Sequence, residues 1–376
     1  MRSWLMVVVL CVACGGDDDA TADADGRDGA VDARRDVPGT DVGDRRCRDA
    51  LPVDMIWVID NSNSMAEEQA TLAENFPVLI ETLTSPPDAD GDGEPDFEPI
   101  TDLRIGIVTT DMGVGDNAGV IGCPSATGDD GVFISDARSG CGTSLGTPPW
   151  LQFDGENARQ FNDDFSCLSE LGTNGCGLEQ QLEASFAAIT RQAEPGAPNE
   201  GFLRGDSLVT IVYVTDEDDC SAADDSIFDP SPAARTELGH FRTRCAFNES
   251  YLHPISRYLD AFHALELDRN APVIVAAITG VPRNLTTDPT DVDFEAVLAD
   301  ESMQFTLDPD DDTQLVPACE FGGVGSAPPA RRIVEVVQDF GRTGNGFLAS
   351  ICQPDLRPVL QSIAELIARN LCEAPI

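Results

Sequence analysis

The sequence predicts one α/β domain: a Rossmann-like unit with a central, mostly parallel sheet, helices on both faces and long disulfide-linked loop insertions. Three observations predict it. Five runs of strand length are apolar almost throughout rather than alternating, which is how strands buried on both faces read. Helical patterns separate them, as parallel strands require a crossover. The remaining stretches are rich in Gly, Asp and Pro, and most cysteines lie in them or at their borders.

The first strand spans 54–59, carried by Met55-Ile56-Trp57-Val58-Ile59, and the turn Asp60-Asn61-Ser62-Asn63-Ser64 delivers it into an amphipathic helix over 65–83. Apolar runs at 103–109 and 208–214 supply the next two strands, with a helix over 177–192 between them. A helix over 251–267 leads to a strand at 272–279, a helix over 330–340 to a strand at 346–351, and a helix over 355–371 closes the domain. The crossovers should be right-handed. Insertions fall at about 85–102, 112–163, 217–250 and 280–325, and no internal repeat is visible.

The turn after the first strand carries the most chemistry. Asp60, Ser62 and Ser64 put a carboxylate and two hydroxyls on alternate residues at the carboxyl edge of the sheet, where open α/β sheets bind ligands. Three small hard oxygens suit Mg²⁺, Mn²⁺ or Ca²⁺ better than zinc or copper. The plainer alternative is that Ser62 or Ser64 caps the helix.

Composition bounds the rest. The chain has 376 residues, with 67 acidic against 23 basic and a formal net charge of −44. That balance argues against nucleic acid as a partner and favours cations. Every basic residue is Arg, so lysine Schiff-base and P-loop chemistry are excluded. Residues 1–13 read as an export signal, with Arg2 before an apolar run too short to span a membrane. Val12-Ala13-Cys14 resembles a bacterial lipobox, which makes Cys14 the lipidation site. Residues 14–46 have almost no large apolar side chain and read as a disordered acidic tether. The expected address is the bacterial cell envelope, anchored by lipid in the outer membrane and facing an oxidising compartment. The ten cysteines beyond Cys14 then form up to five bridges. Sequence proximity pairs Cys123 with Cys141, Cys167 with Cys176, Cys220 with Cys245 and Cys319 with Cys352, leaving Cys47 for Cys372.

Beyond the Asp60 turn the chain resembles the von Willebrand factor type A (VWA) domains over 47–372. Their hallmark is a metal-ion-dependent adhesion site made of D-x-S-x-S, a Thr from a second loop and an Asp from a third. Asp60, Ser62 and Ser64 match the first element; Leu171-Gly172-Thr173-Asn174-Gly175 assigns Thr173, and the strand-end Thr215-Asp216 assigns Asp216. Where the family usually has Gly after that Asp, this chain has Glu217, followed by Asp218 and Asp219, which adds carboxylates near the ion. The resemblance implies no catalysis. It implies a cation held by those five residues, incompletely neutralised and free to take a Glu or Asp carboxylate from a protein partner.

The loop bearing Asp88, Asp90, Asp92 and Asp96 has carboxylates at alternate positions with Gly91 and Gly93 between them. It departs from the EF-hand pattern at Pro99, and two readings stand side by side, a second Ca²⁺ loop and a solvated acidic loop. Arg204-Gly205-Asp206 abuts a strand and reads as a turn, and His240, His253 and His263 lack zinc spacing. Two other readings stay open: a structural or calcium-binding envelope protein without specific adhesion, and a hydrolase, for which no nucleophile elbow or zinc-protease motif is present.

Overall fold

The computed structural model describes residues 51–373 apart from 90, 118, 121, 323 and 324; the signal, the tether with Cys14, and the Cys47–Cys372 bridge lie outside the described residues. The strands are β1 (Val53–Ile59), β2 (Leu103–Thr109), β3 (Leu151–Phe153), β4 (Leu208–Val214), β5 (Val273–Thr279), β6 (Cys319–Phe321), β7 (Gly325–Ala327) and β8 (Gly346–Ser350). The helices are α1 (Ala66–Thr84), α2 (Ala158–Ser169), α3 (Gln181–Ile189), α4 (Pro232–Leu238), α5 (Arg244–Phe247), α6 (Ser256–Arg269), α7 (Phe294–Ala299), α8 (Arg331–Gly341) and α9 (Arg357–Glu373).

Six strands form one sheet in the order β3-β2-β1-β4-β5-β8, parallel throughout except for the antiparallel edge strand β3. β6 and β7 make a separate hairpin. Every residue of β1, β4, β5 and β8 is buried, which is why those strands read as unbroken apolar runs. Met55, Trp57 and Ile59 face the layer built by α1, α2 and α9, while Ile56 and Val58 face the layer of α3, α6 and α8. In the first layer Trp57 meets Phe76 of α1 edge-on at 4.9 Å, and Phe76 meets Phe165 of α2 at 4.0 Å.

The five expected strands and five expected helices are all present, with shifted ends. The helix expected over 177–192 begins only at Gln181, because the preceding residues are held elsewhere: Gly177 N–H donates to Gly122, and Cys176 is bridged to Cys123. The one expected over 251–267 begins at Ser256, after Pro254, whose ring is tolerated in a first turn but not in a helix interior. Its lost residues include Leu252, which bridges Ala222. β3 and α2 arise inside or across the end of the expected 112–163 insertion and extend the sheet and its cover.

Two cysteine pairings are corrected. The bridges are Cys123–Cys176 and Cys141–Cys167, nested rather than sequential, while Cys220–Cys245 and Cys319–Cys352 form as expected. The cause is topological. β3 and α2 carry the chain out to the sheet edge and back, so Cys167 at the end of α2 meets Cys141, and the returning Cys176 meets Cys123. Four disulfides belong to an oxidising compartment. Among the described residues no helix is long and apolar enough to cross a membrane.

Candidate metal centre

The strand order reverses direction between β1 and β4, and this is the switch point at which open α/β sheets leave a crevice at the strand ends. Ile59 is in register with Thr109 of β2 and Val214 of β4. The loops after β1, β2 and β4 therefore emerge side by side. Asp60 N–H donates to Val214 O at 2.9 Å, carrying the ladder one step past the strand.

Asp60 is fully buried at the centre of this edge. Its Oδ1 accepts from the Ser62 amide at 2.7 Å and from the Thr110 hydroxyl at 3.4 Å, and its Oδ2 accepts from the Thr215 hydroxyl at 2.7 Å. Ser62 and Ser64 hydroxyls lie 3.1 Å apart; Ser62 is buried and Ser64 reaches solvent. Neither Ser62 nor Met65 makes a side-chain cap to the helix that follows.

The Thr173 loop is tied to the same turn from both sides. Gln69 Nε2 donates to Asp60 O at 2.7 Å and to Gly172 O at 3.0 Å, and Gly175 N–H donates to Asn61 O at 2.8 Å. Gly175 is needed there, since a Cβ would sit 2.2 Å from Asn61 Oδ1. Half-buried Thr173 lines one cleft together with exposed Asn63.

Asp216 completes the group. It is 5 % exposed, hydrogen-bonds with Ser64, and leaves its buried Oδ1 without a partner among the described residues. Burial first, then the charge of Asp60, pushes its carboxyl up to about 8. Burial likewise raises Asp60, against the donors from Thr215, Ser62 and Thr110. Glu179 and Glu217 are driven well above the ordinary range by burial and by Asp60 and Asp216, and Glu68 is raised by burial, Glu67 and Asp60. These shifts share one origin: carboxyls gathered at one edge with little positive charge among them.

Of the three carboxylates expected to follow Asp216 at the ion, Glu217 joins this group, whereas Asp218 and Asp219 do not, which corrects that part of the expectation. Asp219 accepts from the Leu182 amide at 2.9 Å at the start of α3 and pairs with Arg332 at 3.1 Å; Asp218 accepts from the Arg332 amide at 3.0 Å at the start of α8. Both are spent on helix N-termini, where negative charge is favoured.

Thus Asp60, Ser62, Ser64 and Asp216 meet at one edge, and the loop bearing Thr173 is bonded to the same turn. Thr110, Gln69 and Glu179 were not legible as site residues, because each reaches it through pairing or helix geometry rather than through a motif. Thr215 was visible in the Thr-Asp pair but not its bond to Asp60. Two carboxylates and three hydroxyls are hard donors of the kind Mg²⁺, Mn²⁺ and Ca²⁺ take. Among the described residues no group of three or more His, Cys, Asp or Glu is disposed to hold a metal, so a cation here would depend on the hydroxyls.

The second acidic loop is organised by its own backbone. Asp88 accepts from the Gly91 and Gly93 amides at 2.8 and 3.0 Å, Asp92 from Glu94 at 2.8 Å, and Asp96 from Ala89 at 3.2 Å; Asp90 lies outside the described residues. At the far end of β1, Arg204 is bound to buried Asp54 at 2.7 Å, so the Arg of Arg204-Gly205-Asp206 is engaged within the fold.

No family model matches the chain, and no curated protein matches it. Among solved structures, the pilus adhesin RrgA from Streptococcus pneumoniae is similar at 15% identity over 45% of this chain and 21% of that one, with a TM-score of 0.22. The human COPII-coat protein Sec24c is similar at 12% identity over 61% of this chain and 27% of that one, with a TM-score of 0.26. The chain spans under a third of either protein, and likeness of that degree supports no assignment.

Proposed function

We propose that the protein is a VWA-type binding module, not an enzyme, that holds a divalent cation at the β1–β4 switch point and uses it to bind an acidic residue of a protein partner. Asp60, Ser62, Ser64, Thr173 and Asp216 would hold the ion, which supplies an electrophilic centre for a carboxylate. The chain's own residues do the remainder. Thr215, Thr110 and the Ser62 amide orient Asp60, and Gln69 couples the Asp60 turn to the Thr173 loop.

The observation that carries this reading is the partnerless Asp216 Oδ1, buried against Ser64 in a cluster of carboxyls short of positive charge. A buried acceptor without a donor is costly, and a cation satisfies it and reverses the repulsion around it. With only two carboxylates among the five ligands, the ion is left able to accept another anion. The four disulfides agree with export, and the Cys14 lipid and the 14–46 tether would hold the module at the envelope membrane.

Calorimetric titration with Mg²⁺, Mn²⁺ and Ca²⁺ tests it. The expected outcome is one saturable site in the native chain that Asp60→Ala abolishes and Ser62→Ala weakens by about tenfold, the effect of losing one good ligand contact. Titration curves unchanged by Asp60→Ala would defeat the proposal.

A further inference from the structure

A cleft of about 970 Å³ opens beside the Asp60 turn, with Asn63 and Thr173 on one wall. Its other wall comes from the 217–250 insertion and presents Arg235, His240, Arg242 and Arg244. Among the described residues no Asp or Glu lines this cleft, although the chain carries 67 acidic residues against 23 basic ones. The local charge is thus inverted next to the candidate cation site.

The wall is built, not incidental. Arg244 is buried and donates to the carbonyls of Ile227 at 2.6 Å and Asp229 at 2.9 Å, which fixes the backbone of the insertion. Cys220–Cys245 staples its two ends, and Cys220, Ile227 and Phe228 pack with Val114, Cys176 and Leu178 in a small core of their own. Arg235 and Arg242 stand exposed on this scaffold, and neither forms an ion pair among the described residues. The nearby acidic charges include Glu217, which feels Arg242, Asp229, which acts on Arg244, and Asp311 and Asp312, which face His240.

We infer that this cleft selects protein segments carrying two acidic side chains, one for the cation and a second for the Arg235–Arg242 wall. The inference rests on the reading of the Asp60 turn as a cation site. A guanidinium offers a planar fork that matches a carboxylate, and two of them beside a site that already takes one carboxylate favour a diacidic ligand over a monoacidic one. The same wall would steer acidic segments past the repulsion of a chain with net charge −44.

The test uses two labelled Gly/Ser peptides, one bearing a single Glu and one bearing two, titrated against the full chain with and without Mn²⁺. Mn²⁺ loading is followed separately by its paramagnetic resonance signal. The native chain should bind the two-Glu peptide about tenfold more tightly, the value of one partly exposed charge-assisted contact. Arg235→Gln combined with Arg242→Gln should reduce that preference to about the twofold expected statistically from two equivalent carboxylates, with Mn²⁺ loading unchanged. Mn²⁺-dependent binding whose preference survives the double substitution overturns the inference and leaves the cation reading standing, as does intact loading with no binding of either peptide. Failure of Mn²⁺ to load removes the cation reading, and this inference with it. Arg-dependent peptide binding indifferent to Mn²⁺ also overturns it, because the cleft would then act alone.

Discussion

At the scale of residues, the site is governed by what Asp216 lacks. Its carboxyl is raised from 3.8 to about 8 by burial and by Asp60. Between those values the folded chain holds a proton that the unfolded chain has released, so this group's contribution to stability is complete below about 3.8 and is lost as pH rises through about 8. Thermal denaturation in chelator should therefore show falling stability across that window. Saturating Mg²⁺ should flatten the fall, since a cation stabilises the deprotonated form and binds more tightly as the proton leaves. A pH profile identical with and without Mg²⁺ would contradict the assignment. Much of this was legible in the residues themselves. Asp60, Ser62 and Ser64 in the turn after a buried strand, and Asp216 at a strand end, marked residues that meet at this edge. Thr110 and Gln69 were not legible, because a hydroxyl and an amide in a strand end and a helix become site residues only through neighbours 50 and 9 positions away.

At the scale of elements, α1 and α2 lock the first strand, and through it the Asp60 turn. Phe76 and Phe165 close over Trp57, which is fully buried. Phe165→Ala should cost about 3–5 kcal/mol in chemical denaturation, the usual loss for an aromatic removed from a tight core. A cost below 1 kcal/mol would mean that α2 is not part of this core. The buried parallel strands were readable because burial on both faces forces a continuous apolar run. β3 escaped notice because three residues on a sheet edge, with Gln152 exposed between Leu151 and Phe153, make no run. α2 escaped for a different reason: it sits in a Gly- and Asp-rich stretch, although Phe161, Phe165 and Leu168 mark one face at helical spacing. That missed pair of elements also explains the misassigned cysteines, since proximity in sequence fails wherever a strand and helix carry the chain away and back.

At the scale of the whole described unit, long loops with little core of their own are held by cross-links, and two of those loops frame the switch point. Removing the Cys141–Cys167 bridge by paired Ala substitution frees a loop of 26 residues in the unfolded chain. The loss expected from chain entropy is about 3–4 kcal/mol by urea denaturation. A value near zero would show that this loop is ordered by packing alone. Net charge has a separate role. With a formal −44, the chain repels itself and other acidic proteins, which makes a locally basic cleft beside the site a means of discrimination.

The proposed binding site places one cation among the loops that follow β1 and β4 and the loop that bears Thr173. Crystals grown or soaked with Mn²⁺ and measured at the manganese absorption edge test it most directly. One strong anomalous peak is expected, bounded by the hydroxyls of Ser62, Ser64 and Thr173 and the carboxylate of Asp216. Fully occupied manganese elsewhere, with that position empty and Asp216 Oδ1 bonded to a protein donor, would contradict it.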